Sequence, residues 1–514
     1  MNLRQPLTKN ARNVGLAALA AFLAFWPLAA KISPVQDQFD WFLQAKILAQ
    51  PHDAAWHQHY EAVWRPAPNL LGEAAIATLA RFVPIFHAAA FAYAVYLALF
   101  VAAAAYFVRA DGRDRAYAEL LGPLYAANHF FLMGFFNFAL GLALFLLALG
   151  WLRRRGETMT PGGWAIFSAL VTATYLSHLL AFAALGLAGV FYGVWAWRAD
   201  WRRWRSFALS FAPAMACLAW YVASRTGEFS YGYEFHNLLY YIWFQVGPWA
   251  PASSYYPVTS SSAAWLNVAI NAATIVAVPT VIVAGLLGRR FDWRGPWAYA
   301  SAALIVIGLA LPLRLYEIIR PGQRLIFAGL LLLPLAAIPK GPANPRRYYA
   351  AFAALVVLLT WNAHLWFSAA TSLRDDTAVL DRLIDAHARV LNIADSHFQF
   401  REGRPYREKA LDPYSFPNSV NPYRFLGYYP ALKKGGYIGS LFRTGIILVK
   451  DPKSQPAVNR AASLGDPQAA GQYTQIVASG TPANLRIIES FAAPLFDTMY
   501  LRDSLLVMRR KSAE

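Results

Sequence analysis

The sequence predicts an α-helical polytopic membrane protein with a small C-terminal α+β domain, and three observations predict it. Hydrophobic residues make up 58% of the chain and charged residues only 14%, against roughly 25% charged in soluble domains. Apolar runs recur along residues 1–367, several of them reaching the ~20 residues that cross a ~30 Å hydrocarbon core as helix. Residues 368–514 lack such runs and carry short apolar pieces among Pro- and Gly-rich turns.

The net charge of +18 does not point to nucleic acid. Most of the excess sits in short clusters between apolar runs: RADGRDR, LRRRG, WRADWRRWR, GRRFDWRG and NPRR. Such clusters mark the cytoplasmic ends of spans. The single cysteine, Cys217, lies inside an apolar run and excludes a disulfide framework within the chain. Residues 1–30 have a basic start and an apolar centre like a signal peptide, but the apolar runs continue beyond them, so an uncleaved anchor is expected.

Arg4, Lys9 and Arg12 precede the first run, 14–32, and place the N-terminus in the cytoplasm. The segment 70–86 is interrupted by Glu73, Arg81 and Pro84 and suits a helix lying in the outer interface. Further spans fall near 87–108, 115–133, 135–152, 161–177, 179–198, 205–223, 263–287, 295–313, 322–339 and 347–367, about eleven in all. Every basic cluster then lies inside, and residues 368–514 lie outside with the loops 33–86 and 224–262. The chain divides into a transmembrane domain, 1–367, and an extracytoplasmic domain, 368–514. No repeat of 20 to 50 residues and no two-fold repeat of hydropathy, which many transporters carry, is visible in it.

This topology gathers unusual polar residues on one side. Asp37, Asp40, His52, Asp53, His57, His59 and Glu61 fall in the first outer loop, with His129, Asn137 and His178 near later outer turns. Glu234 and His236 sit in an aromatic loop, and Glu317, Arg320 and Arg324 in LYEIIRPGQR. Ionisable groups near hydrocarbon face a cavity or a partner; for any single histidine, interfacial solvation competes with a role at a site.

Asp37 and Asp40 in QDQFDWFLQA are three apart and share a face of a helix. Such acids could deprotonate an acceptor hydroxyl, hold a divalent cation such as magnesium or manganese, or simply cap the helix that follows. The alternation His57, His59, Glu61 puts three ligand types on one face of an extended segment, a weak zinc pattern without a fourth ligand. Arg320 and Arg324 oppose the inward bias of positive charge. Arginine binds phosphate through paired hydrogen bonds, so a lipid-linked phosphate suits them, as does a snorkelling anchor to headgroups.

With an acid in the first outer loop, many spans, a second long outer loop and an exported tail, the sequence resembles the GT-C superfamily of integral membrane glycosyltransferases. HYEAVWRPAPNLLGEA, GFFNFALGLALFLLALG and YLSHLLAF look like segments of its uncharacterised bacterial members. The resemblance covers about the first 367 residues. It implies a GT-C-like fold in a bacterial inner membrane. It also implies transfer of a hexose or pentose, with inversion, from a polyprenyl-phosphate carrier to a glycan, lipid or protein acceptor. In that family the first-loop acid acts as base or helps hold metal, which maps onto Asp37 or Asp40. Basic residues near a later outer loop hold the lipid phosphate, which maps onto Arg320 and Arg324. His59, Glu61, His129, Asn137, His178, Glu234, His236 and Glu317 are further candidates for substrate binding. A flippase for lipid-linked glycans and a non-catalytic assembly protein are the rival readings.

The tail opens with a helical pattern, TAVLDRLIDAHARVLNIAD, in which Val379, Leu380, Leu383, Ile384 and His387 share a face. TGIILVKD, TQIVAS and SLLVMRRK read as strands. Tyr406, Tyr414, Tyr423, Tyr428 and Tyr429 could stack on sugar rings or pack at the interface.

Overall fold

The computed structural model describes residues 8–53, 60–110, 112, 115–224, 231–232, 241–242, 245–287, 291–293, 295–312, 314–315, 318–337, 344–394, 399–401, 404–406, 419–435, 447–449 and 470–512. Six helices among them are long and apolar enough to cross a membrane: Lys9–Ala29, Ile85–Ala110, Phe136–Arg155, Leu179–Ala196, Trp201–Ala223 and Pro345–Leu383. Shorter apolar helices, Pro161–Ser177, Pro296–Ala310 and Pro321–Ala336, fill the bundle between them. This is a multi-pass helical membrane protein.

Helix boundaries follow local chemistry. Thr8, Thr160 and Asn344 cap three helices by accepting backbone N–H groups, and Pro161, Pro296, Pro321 and Pro345 stand at first-turn positions where no N–H is needed. Pro296–Ala310 packs closely on Pro321–Ala336 because Gly308 lacks a side chain: a Cβ there would lie 2.7 Å from the Gly322 carbonyl oxygen.

The run 115–133 is not one span. It divides into Ala116–Glu119, Leu121–Ala126 and His129–Leu132. Asn128 causes the last break: its Oδ1 accepts the Phe131 N–H at 3.1 Å, and its Nδ2 donates to the Tyr96 hydroxyl at 3.0 Å and the Tyr125 carbonyl at 3.1 Å. A buried amide with these partners restarts the helix in a new direction. Residues 70–80, expected to lie in the interface, form the 11-residue helix Leu70–Ala80, too short to cross.

At one end of the bundle the basic clusters meet. Glu119, buried, accepts two hydrogen bonds from Arg109, at 3.0 and 2.9 Å, and lies 3.4 Å from Arg12, while the Tyr117 hydroxyl donates to the Asn344 carbonyl. The opposite end collects the polar segments 36–40, 69–73, 128–137 and 177–180.

Pro345–Leu383 has 39 residues, so at 1.5 Å per residue it is ~58 Å long and rises well beyond a ~30 Å core. The helix expected from TAVLDRLIDAHARVLNIAD therefore ends at Leu383 as the top of this longer helix, and Val390–Ala394 is a strand. Its β-branched and apolar residues enter a four-stranded sheet of order Phe496–Arg502, Leu505–Arg510, Gln475–Ser479, Val390–Ala394. The last two pair in parallel and the others antiparallel. The three inner and parallel-paired strands, Leu505–Arg510, Gln475–Ser479 and Val390–Ala394, alternate. Leu391, Ile476 and Ala478 pack with Leu485 and Ile488 of the covering helix Pro482–Ala492, whereas Val390, Val477, Leu505 and Val507 face the main core. Both faces are thus buried, one against the body of the protein.

Candidate active site

Asp37 occupies the N-cap position of Gln38–Ala49 yet makes no capping hydrogen bond. It is fully buried, and neither carboxylate oxygen has a hydrogen-bond partner. Its surroundings explain the geometry. The Gln36 N–H donates to the Leu132 carbonyl at 2.9 Å, tying the first loop to the broken segment. Gly134, with φ +86°, presses its backbone against Asp37: a Cβ at this position would lie 2.7 Å from the Asp37 Cβ. Only glycine takes that conformation and that spacing without strain. Beneath lies an aromatic floor, with Tyr93 on Phe131 at 5.2 Å and Phe131 stacked on Trp366 at 6.1 Å.

Burial in this setting raises the Asp37 carboxyl to about 6, against the opposing pull of Arg424 first, then Gln36, Arg320 and Arg324. Arg424 Nη1 stands 3.7 Å from Asp37 Oδ1. A buried acid raised toward neutrality, with its lone pairs unused, can accept a proton.

Asp40, also fully buried, is differently occupied: Gln44 donates to its Oδ2 at 2.6 Å. Its neighbour is Glu73 from the helix Leu70–Ala80, whose carboxyl is pushed well up by burial and then by Asp40. The two acids of the first loop thus face different company, arginines for Asp37 and a second carboxyl for Asp40.

The arginines come from Arg320 and Arg324. Arg320 adopts φ +56° at the N-cap of Pro321–Ala336, a conformation costly for a side chain larger than Gly, and its Nη1 reaches Met133 Sδ at 3.5 Å. Arg324 is buried over the rings of Phe135, at 4.3 Å, and Phe138, at 5.5 Å. Its Nη1 lies 2.5 Å from His178 Nε2. His178 caps Leu179–Ala196 by accepting the Leu180 N–H on Nδ1. Burial, then the charge of Arg324, holds the ring well below its usual range, so it is neutral and its proton belongs on Nε2.

The structure thus brings Asp37, Arg320, Arg324 and His178 to one region. His129, buried, feels the charge of Arg320. Asn137 is used otherwise: its Oδ1 accepts the Gly72 N–H at 2.7 Å and fastens the helix Leu70–Ala80. Glu61 is exposed in the strand Tyr60–Ala62, paired with Leu448, and His52 and Asp53 lie exposed in the turn after Gln38–Ala49. His57, His59, Glu234, His236 and Glu317, with Tyr414, fall outside the described residues, as does the side chain of Tyr406. Tyr423, Tyr428 and Tyr429 are buried and serve packing, the second of the two roles open to them. Among the described residues no three of His, Cys, Asp and Glu come together to hold a metal ion.

Sequence reasoning missed Arg424, Gly134 and Tyr93. It noted Glu73 only as an interruption of an apolar run.

The architecture matches a solved structure, ArnT from Cupriavidus metallidurans bound to undecaprenyl phosphate, over 98% of this chain and 99% of that one, with TM-score 0.52 and 12% identity. The chain shares the overall fold of that structure. No family model matches the sequence, and neither does any curated protein. The shared arrangement is a helical membrane bundle with a small sheet region at the C-terminal end.

Proposed function

We propose that the protein is a membrane glycosyltransferase that moves a sugar from a polyprenyl-phosphate carrier to an acceptor hydroxyl, with Asp37 as general base. The observation that carries this reading is a buried carboxylate with both oxygens unpartnered, facing Arg320 and Arg324. Asp37 takes the acceptor's proton. The acceptor oxygen then bonds to the anomeric carbon from the face opposite the carrier, inverting it, while the bond to the carrier oxygen breaks and its electron pair leaves with the polyprenyl phosphate. Arg324, Arg320 and the Nε2–H of His178 receive the charge growing on that phosphate. The leaving group is good, so positioning contributes more than acid catalysis.

The fold supports the same reading, since the similar ArnT structure holds undecaprenyl phosphate. Asp40, hydrogen-bonded to Gln44 and set against Glu73, is better suited to holding the loop than to accepting a proton. The arginine clusters support a position for the Asp37 end on the outer face, in this reading of a bacterial inner membrane, with a cell-envelope glycan, lipid or protein as acceptor. Residues 1–367 form the catalytic membrane domain and 368–514 an extracytoplasmic one.

Transfer of radiolabelled sugar from polyprenyl-phosphate donors, measured with purified native protein, Asp37→Asn and Asp40→Asn, tests the proposal. Transfer by native protein that vanishes in folded Asp37→Asn and survives in Asp40→Asn is expected. Absence of native transfer across a broad donor and acceptor panel, with glycolipid movement in vesicles, would replace it with transport.

A further inference from the structure

We propose that Arg424, delivered by the C-terminal segment, is a positioning residue that holds Asp37 in its charged, proton-accepting form. The inference rests on the reading of Asp37 as base. Residues 419–434 are seated around the Asp37 loop by contacts from several directions. Ser419 and Val420 pair in parallel with Ser254 and Tyr255, and the Tyr256 N–H donates to the Val420 carbonyl at 2.8 Å. The Asn421 N–H donates to Gln36 Oε1 at 3.0 Å, so the residue next to Asp37 is itself the docking point. The Tyr423 hydroxyl meets Ser372 Oγ at 2.7 Å, and Lys46 Nζ donates to the Leu432 carbonyl at 2.6 Å.

The backbone of Arg424 is gripped from the sheet. Asn392 Nδ2 donates to its carbonyl at 2.9 Å while Asn392 Oδ1 accepts the Gly427 N–H at 2.8 Å. Its guanidinium is thereby aimed at Asp37 and stops at 3.7 Å. That separation matters. It is short enough for strong attraction in a buried setting, yet too long for a hydrogen bond that would occupy the oxygen needed for the acceptor. The side chain of Arg424 is 41% exposed and that of Asp37 not at all, so the cation keeps part of its hydration while stabilising an anion that has none. Arg320 and Arg324 also face Asp37, as do Gln36 and Tyr93, but Arg424 opposes the effect of burial most.

The test compares native protein, Arg424→Gln and Arg424→Lys in two readouts, after thermal unfolding in detergent shows all three folded. In the transfer assay, Arg424→Gln should lose about tenfold or more at pH 6 and regain most of its rate at pH 9, with KM little changed, because removing the cation moves the acid limb upward. Arg424→Lys should restore the profile in part. Loss equal at every pH, or no rescue by lysine, would overturn the proposal. The second readout needs no substrate: the infrared carboxyl band that disappears in Asp37→Asn should titrate at higher pH in Arg424→Gln than in native protein. An unshifted band overturns the role of Arg424 whatever the protein transfers, and a shifted band in a protein that transfers no sugar overturns the enzymatic reading alone.

Discussion

Two buried carboxylates, at opposite ends of the bundle, have arginine neighbours and opposite fates. Glu119 grips Arg109 through two hydrogen bonds and has Arg12 at 3.4 Å. Asp37 has its arginine at 3.7 Å and no hydrogen bond to either oxygen. The first joins Lys9–Ala29, Ile85–Ala110 and the start of the broken segment, and its lone pairs serve the fold. The second is held by backbone packing from Gly134 and by its loop, so its lone pairs remain available. The difference teaches that burial and charge do not mark a site by themselves. What distinguishes Asp37 from Glu119 is the unspent hydrogen-bonding capacity that the fold tolerates.

The contrast predicts a double dissociation. Asp37→Asn should lower transfer by roughly 10²- to 10⁴-fold, the usual worth of a general base, with no loss of thermal stability. Glu119→Gln should do the reverse: its unfolding midpoint should fall by an amount equivalent to roughly 3–5 kcal/mol, as when one partner of a buried ion pair is removed, while the rate per folded molecule stays within about twofold. Transfer rates and thermal unfolding in the same detergent read both. If Glu119→Gln abolished transfer in a protein of undiminished stability, the division between the two ends would fail.

A third expectation concerns the anion site. Arg324→Met should weaken binding of polyprenyl phosphate by about ten- to a hundredfold, the value of a charge-assisted hydrogen bond in a buried site. Isothermal titration with the carrier phosphate measures it. Undiminished affinity would return Arg324 to the role of a cation stacked on Phe135 and Phe138.

Much of this was legible in the chain. Long apolar runs and arginine clusters report directly on a hydrocarbon core, so the spans 87–108, 135–152 and 161–177 correspond closely to Ile85–Ala110, Phe136–Arg155 and Pro161–Ser177. Parity of the clusters assigned Asp37, His178, Arg320 and Arg324 to one end, and they meet there. The run 115–133 misled because hydropathy registers composition and not the hydrogen bonds of Asn128. The choice between Asp37 and Asp40 depends on which faces arginine and which faces Glu73, information carried by tertiary packing. Arg424 lies most of the chain away from Asp37, and no local pattern links them; the Asn392 clamp that aims it forms only when the sheet does.

The smallest expected effect probes the cost of leaving Asp37 unsatisfied. Burial raises its carboxyl to about 6 in the folded state, above the ordinary carboxylate value of 3.8, so the folded state binds the proton more tightly than the unfolded one. The charged form therefore destabilises the fold, and the cost is absent below pH 3.8, grows as pH rises through 6 and is complete above it. Asp37→Asn, which carries no charge at any pH, should match native protein near pH 4 and exceed it at pH 8 by roughly 1–3 kcal/mol, a cost that the attraction to Arg424 already reduces. Chemical unfolding across that range reads the difference. A variant less stable than native at pH 8 would make Asp37 a satisfied ion-pair partner of the same kind as Glu119. Greater stability with lost transfer would show that the fold gives up free energy at Asp37 to keep a carboxylate ready to accept a proton.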